Sequence, residues 1–361
     1  MSDDDYLSVL RSFKPEADGA ARTSVPVAVP VLLAPLSGVT DVHMRRIARR
    51  CGASAVVSEM VAAAEFARGS VEATLRAEGG GIDPHVVQLA GCAPEPMAEA
   101  ARLSEAAGAA VIDINMGCPA KAVTGGAAGS ALMRDLEGAT RILAAVRNAV
   151  SIPVTVKMRL GWDHASLNAP ELARRAEGLG LDAVTVHGRT RQQFYKDSAD
   201  WGAIRAVVAA VSIPVVANGD VTTLDEARTC LARSGAAGVM IGRAAVGRPW
   251  LVGEIAAGLA GRDAPVLSAA DKAALAIAHY EGLLALYGIR MGVRHARKHL
   301  AAYAEAGGGL SAEARARLLT TTDPALVVAL LAAAFGGHAA DRPVTGQEAE
   351  RAMGPAIGQA A

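Results

Sequence analysis

The chain has little cysteine. Its four residues, Cys51, Cys92, Cys118 and Cys230, form no CxxC pair and have no histidine nearby at metal-ligand spacing. That argues against a structural zinc and against a secreted disulfide scaffold, so no metal is expected and a reducing cytoplasm fits best. Excess charge of either sign is missing too, with 36 basic against 36 acidic residues. No global basic field therefore announces a nucleic acid, and any such site has to be a local patch. Long apolar runs are absent: the stretches near 25–36 and 325–335 are too short or too proline-broken to span a bilayer. The N-terminal MSDDDYLSVLRSF is acidic where a secretory signal is basic, so a cytoplasmic protein with no membrane partner is expected. A Rossmann GxGxxG after a first strand and a GxxxxGK[ST] loop are both missing.

What is present is an alternation. Hydrophobic residues make up 52% of the 361, ample for a large core. Eight short β-rich segments occur: VLLAP from 31, VVSEM from 56, HVVQLAG from 85, AVIDINMG from 110, PVTVKMRLG from 153, AVTVHGRT from 183, PVVANGD from 214 and GVMIGRAA from 238. Between them lie segments of helical spacing such as VHMRRIARR, PEPMAEAARLSEAAG, LMRDLEGATRILAAVRNAV and LDEARTCLARSG, the last stopped by a glycine. Near-continuous apolar strands joined by helices require a parallel sheet covered on its outer face. Eight such units predict an α/β fold, a (β/α)8 TIM barrel, with an open doubly wound sheet as the weaker alternative. From about residue 264 the β signals stop; SAADKAALAIAHYEGLLALYG opens with a Ser268 cap and begins a smaller all-helical C-terminal domain. The expected division is a flexible arm over 1–28, the barrel over 29–262, the helical domain over 263–336 and a flexible tail over 337–361.

In a barrel the C-terminal strand ends share one rim, where active sites are built. Here that rim gathers Pro35, Leu36 and Ser37, Glu59, Gln88, Asn115 with Cys118, Lys157 with Arg159, and His187 with Arg189; the last two strands add Asn218, Gly219 and Asp220, then Gly242 and Arg243. A lone amide or charge there is ordinarily a satisfied structural residue, but their convergence is a stronger signal. Glycines ending the seventh and eighth strands suit a phosphate held by backbone N–H groups, with Arg243 adding a charge-assisted bond; the alternative is that they permit tight turns. A phosphorylated cofactor follows. Lys157 and Gln88 would hold its ring system, since a cation beside a flavin stabilises the charge gained on reduction; otherwise Lys157 pairs with Glu59 or Asp113.

The ordered set APLSGVTD, VVQLAG, DINMGCPAK with GSALM, VKMRLGW, VHGRTRQQFY, NGD and IGRAAVGRPW resembles the tRNA-dihydrouridine synthase family, most closely its bacterial B-type members, over about residues 30–300. The resemblance implies an FMN-containing enzyme that reduces the C5=C6 bond of selected uridines in tRNA, with NADPH as reductant. By motif, FMN contacts fall on Pro35, Leu36, Ser37, Gln88, Lys157, His187, Asn218, Gly219, Asp220, Gly242 and Arg243. Cys118 is implied as the catalytic residue, with Asn115, Lys157 and Arg159 near the uracil and Arg189 near the tRNA backbone. The chemistry asks for a proton donor opposite the hydride, and a thiol of ordinary pKa, about 8.5, is mostly protonated at neutral pH. Glycines 125, 126 and 129 would let the loop bearing Cys118 bend or move.

A folded RNA needs contact surface beyond the pocket. Residues 282–304 carry Arg290, Arg294, Arg297 and Lys298 with no acidic residue, and 290, 294 and 297 share a helix face suited to phosphates; the plain alternative is a solvated face. The segment RKHLAAYAE retains Tyr303 without the tryptophan usual before it in the family, and PLSG stands where PMAG is common. A monomer is expected. The competing function is an FMN-dependent barrel oxidoreductase acting on a free pyrimidine or another small enone; a tRNA-binding protein without catalysis is the third reading.

Overall fold

The computed structural model describes residues 29–124, 127–264 and 266–336. The arm expected over 1–28, the tail over 337–361 and the loop residues Gly125 and Gly126 lie outside them. Eight strands form a closed parallel barrel in chain order: β1 (Val31–Leu33), β2 (Ala55–Ala62), β3 (His85–Ala90), β4 (Val111–Met116), β5 (Val154–Arg159), β6 (Ala183–His187), β7 (Val215–Asn218) and β8 (Gly238–Ile241). Closure comes from β8 pairing β1, with Val31 opposite Val239. Each strand begins within a residue of its expected start, because runs of β-branched residues bounded by turns leave little room for error.

Side chains alternate across a strand, so one parity faces the barrel interior. Leu32, Ala55, Val57, Val86, Val111, Ala183, Val216 and Met240 pack there as a small apolar cluster toward the strand starts. Continuing the same parity toward the C-terminal rim gives Gln88, Asp113, Asn115, Thr155, Lys157, Arg159, His187, Asn218 and Gly242. The interior is thus apolar at one end and polar at the other. A second, larger core lies between the strands and the surrounding helices.

Those helices are α1 (Val42–Arg50), α2 (Ala63–Ala67), α3 (Val71–Ala77), α4 (Pro94–Ala106), α5 (Lys121–Thr124), α6 (Leu136–Ala149), α7 (Ala169–Gly178), α8 (Trp201–Val208), α9 (Leu224–Ser234) and α10 (Leu251–Leu259). The helix expected from Leu132 begins later. Residues Gly129–Arg134 form a 3-10 turn instead, and Asp135 starts α6 by accepting a hydrogen bond from Gly138 N at 2.9 Å.

The C-terminal region is helical, as expected: α11 (Ala269–Gly307), α12 (Ala312–Thr320) and α13 (Pro324–Ala334). Ser268 caps α11 in a reciprocal box with Asp271. The segment 282–304 spans two helical arms, with 290, 294 and 297 on the second. Gly288, at φ 71 and ψ 163, reverses the chain and divides α11 into arms 269–287 and 289–307. The arms lie against each other, with Tyr287 stacked on His295 at 4.3 Å and the rings of His279 and His299 4.5 Å apart. A third core, including Trp250, Tyr280, Leu300 and Tyr303, fills this domain.

A buried polar clasp fixes the helical domain to the barrel. Asp41 caps α1 through Oδ1, while its Oδ2 receives His279 Nε2 at 3.0 Å and lies 3.7 Å from His299 Nε2. Tyr303 Oη lies 3.0 Å from His279 Nδ1. With Nε2 donating to the carboxylate, Nδ1 is the acceptor and the phenol the donor. Burial alone would raise the Asp41 carboxyl, but the pairing and hydrogen bond with His279, then His299, hold it well below the carboxylate range. Tyr303 is therefore a buried docking residue.

Candidate active site

The barrel register brings the polar strand ends together. Gln88 stands opposite Asp113, Asp113 opposite Thr155, Asn115 opposite Lys157, and Arg159 opposite His187, which faces Asn218. Cys118 follows β4 on the loop above them. It is half-buried, and its backbone is held on two sides: Asn115 Oδ1 accepts from Cys118 N at 3.0 Å, and Cys118 O accepts from Ser130 N and Oγ at 3.0 and 2.9 Å. Arg159, 1% exposed, donates from Nε to Gly117 O at 2.8 Å and from Nη1 to the carbonyls of Thr190 and Phe194, both at 2.9 Å. Asn115 and Arg159, expected beside a substrate base, both spend hydrogen bonds on the Cys118 loop.

Lys157 has neither of the ion pairs weighed for it. Asp113 is engaged by Gln88 and Thr155, and Glu59 accepts from Gly38 N at 2.8 Å. Among the described residues the Lys157 ammonium makes no hydrogen bond or ion pair. Burial, then Arg159, pull its pKa down to about 8, against the opposing influence of Asp113 and Cys118. A cation held in a barrel mouth without a partner is poised for an incoming anion or acceptor. His187 lies in the same field: burial, then Lys157, Arg159, Arg189 and Arg243, push its pKa well below the ordinary value, so the imidazole is neutral.

Arg189 is a correction. Expected at an RNA backbone, it is 2% exposed and all five of its N–H groups are engaged. Nε donates to Lys196 O, Nη1 to Asp220 Oδ1 and His187 Nε2, and Nη2 to Asp197 O and Asp220 Oδ2. No donor remains for a phosphate. Asp220 also accepts from Ala199 N and from Arg243 Nη2, at 2.8 and 3.0 Å. Burial would raise its pKa, but the Arg189 hydrogen bond, Ala199 N–H and both arginines lower it. Its carboxylate thus serves to hold Arg243, which is exposed over the Tyr195 ring at 4.9 Å.

The glycines differ. Gly219 sits at φ +121, where a Cβ would lie 2.7 Å from Ala199 Cβ and 2.8 Å from His187 Cδ2, so fold geometry alone requires it. A Cβ on Gly242 would meet nothing nearer than Ala34 Cβ at 3.9 Å. Open space therefore stands over Gly242, where the first N–H groups of the short turn Arg243–Ala245 have no intrahelical partner. Asn218 Nδ2 ties β7 to β8 through Met240 O, at 2.8 Å. In the first loop Leu36 N–H donates to Thr40 Oγ1 at 3.0 Å, Pro35 is half-buried and Ser37 exposed.

The Dihydrouridine synthase (Dus) family profile matches residues 32–331. The chain belongs to the dihydrouridine synthase family. It is 53% identical over 309 residues to a probable tRNA-dihydrouridine synthase of Rhodobacter capsulatus, covering 85% of this chain and 94% of that protein. It is 50% identical over 312 residues to a probable tRNA-dihydrouridine synthase of Rhizobium leguminosarum, covering 86% and 96%. Over 281 residues it is 49% identical to tRNA-dihydrouridine synthase B of Xanthomonas axonopodis, covering 77% and 85%. Membership in the synthase family makes the chain an oxidoreductase.

Arg290, Arg294 and Arg297 are exposed on the second arm of α11. Lys298 is exposed too, but reaches back to the first barrel loop: a Cβ on Gly38 would lie 2.7 Å from its Nζ. No helix among the described residues is long and apolar enough to cross a membrane. Residues at the rim escaped the sequence reading. Tyr195, 51% exposed, stands between Arg159 and Arg243, and Arg191 lies over the Trp162 and Phe194 rings at 4.8 and 4.7 Å. Aromatics following two arginines in RTRQQFYKD were the available signal. Thr155 was also missed, although a hydroxyl at an inward barrel position needs a partner.

Proposed function

We propose that this chain is a tRNA-dihydrouridine synthase that binds FMN in the barrel mouth and reduces the C5=C6 bond of particular tRNA uridines, with NADPH as reductant. The observation that carries the reading is the unpartnered Lys157 ammonium in the polar layer of the barrel, in a chain that belongs to the synthase family. The residues present suit FMN. The open space above Gly242, with Arg243 beside it, accommodates a phosphate, and the cations around His187 favour an anionic ligand.

On this reading Gly219, Asp220, Gly242 and Arg243 hold the phosphate end. Gln88, Lys157, His187 and Asn218 border the ring system, and Pro35, Leu36 and Ser37 line its other edge. FMN, when bound, supplies the hydride that adds at C6 of the uracil. Cys118 delivers the proton to C5, so that the C5=C6 π bond gives way to two C–H bonds. Lys157 opposes the negative charge that develops meanwhile. Asn115, Arg159 and Ser130 fix the loop that presents the thiol, which supports Cys118 as an acid rather than a freely swinging group. The barrel domain, 29–262, would carry this chemistry, and the helical domain, 263–336, would hold the tRNA through Arg290, Arg294 and Arg297, with Lys298 at the domain junction.

Cys118→Ala tests the assignment. The variant should retain FMN, read by its visible absorbance, and lose dihydrouridine formation on unmodified tRNA; turnover at the unmutated rate removes the acid role.

A further inference from the structure

Below Cys118 runs a chain of side-chain hydrogen bonds whose inner end has no role in the reading above. Thr155 Oγ1 donates to Asp113 Oδ1 at 2.6 Å, and Gln88 Nε2 donates to Asp113 Oδ2 at 2.7 Å. Asn115 Nδ2 donates to Gln88 Oε1 at 2.7 Å, and Asn115 Oδ1 accepts from Gly117 N and Cys118 N at 3.2 and 3.0 Å. Gln88 is wholly buried, Asp113 is 3% exposed and Asn115 7%.

The direction of every bond follows from the two ends of the chain, an accepting carboxylate at Asp113 and donating backbone N–H groups at 117 and 118. Burial pushes the Asp113 pKa up, opposed by the Thr155 and Gln88 hydrogen bonds and by Lys157, and both its oxygens accept here; such a carboxylate only accepts, whereas an amide has one donating and one accepting end. Gln88 must therefore turn its NH2 to Asp113 and its carbonyl outward. Asn115 must then turn its NH2 to Gln88, which leaves its carbonyl for the backbone N–H groups at 117 and 118. Reversing either amide would set donor against donor in a buried place. We propose that Asp113 is a positioning residue, which sets the orientation of Gln88 and Asn115 and through them the placement of the Cys118 backbone. The catalytic consequence rests on the acid role of Cys118; the placement itself does not.

The test exchanges the acid between two positions. In Asn115→Asp, carboxylates at 113 and 115 flank one Gln88 amide, which can offer N–H to only one of them, so the other meets the amide oxygen. Adding Asp113→Asn lets Gln88 turn round. Its NH2 then serves the carboxylate at 115, its oxygen accepts from the amide at 113, and the carboxylate at 115 is held in place beneath the Cys118 N–H. The readout is the rate of Cys118 alkylation by iodoacetamide in the full-length protein, by peptide mass spectrometry, relative to exposed Cys92 on the same chain. Asn115→Asp should raise this ratio ~10-fold or more, because a carboxylate facing the Gln88 oxygen is driven from its place beneath the Cys118 N–H. The double variant should return it to within about twofold of the unmutated protein. Asp113→Asn alone should raise it measurably but less than Asn115→Asp does, because the Thr155 hydroxyl can turn to accept from the new amide while the backbone N–H groups at 117 and 118 still hold Asn115. If Asn115→Asp folds poorly, the same exchange is read as melting temperature, with Asp113→Asn restoring what Asn115→Asp lost. An unchanged ratio and melting temperature in Asn115→Asp, or a double variant no better than that single one, overturns the proposal. Failure of the acid role would appear in Cys118→Ala and would leave these outcomes standing.

Discussion

The two rim glycines should answer oppositely to the same substitution. At Gly219, alanine meets φ +121 and atoms at 2.7 and 2.8 Å belonging to Ala199 and His187. Left-handed strain costs about 1–3 kcal/mol, and overpacking against groups that cannot retreat costs about 1–3 kcal/mol more. The protein should lose roughly 2–6 kcal/mol, several degrees or more of melting temperature. At Gly242 the nearest atom to the new methyl is Ala34 Cβ at 3.9 Å, an ordinary contact, so no clash of the Gly219 kind adds to the cost there. That methyl nevertheless enters the space assigned to the FMN phosphate. Flavin affinity should fall at least ~10-fold, equivalent to about 1.4 kcal/mol. Melting of the apoprotein and titration of FMN by fluorescence separate the effects. Gly242→Ala binding FMN like the unmutated protein, or destabilised as much as Gly219→Ala, would refute the phosphate site.

Acid should destabilise the fold through histidines held neutral. Burial, then Arg45, bring His85 down to about 4, and burial, then His279, bring His299 down to about 3, from an ordinary value of 6.5. Unfolding restores the ordinary value, so the unfolded chain binds more protons below it: stability is full above pH 6.5 and is lost progressively as pH falls toward those folded values. Each group contributes up to about 1.4 kcal/mol per pH unit, so the pair should remove about 4 kcal/mol between pH 7 and 5 in urea unfolding. Equal stability at the two pH values would show that these rings are not held neutral. Replacing Arg294 and Arg297 together with Glu should weaken tRNA binding more than ~10-fold and lower the salt dependence of log K by about 2. Flavin content and NADPH oxidation should stay level, and unchanged tRNA affinity would discard that face.

The strands were legible because their rule is local: an apolar run and a turn, repeated eight times along the chain. The site was legible as positions, since parity along a strand decides which side chains reach the barrel mouth. What those side chains hold was not. Arg189 reads as a free cation in VHGRT, yet it meets Asp220, 31 residues further on, because β6 and β7 are neighbours. Its donors are consumed by carbonyls of its own loop, a closure that no spacing rule encodes. Gly288 shows the opposite case. Glycine inside a helix costs only about 1 kcal/mol, so LYGIRMG reads as continuous, and only packing between the arms shows that the chain reverses there. Asp113 lies between these cases. A carboxylate at an inward position, with Gln88 and Thr155 in the same layer of adjacent parallel strands, has its partners dictated once the strand order is known. Layer and parity therefore extend sequence reading from which residues gather to which of them must bond, provided each buried donor and acceptor is followed to its end.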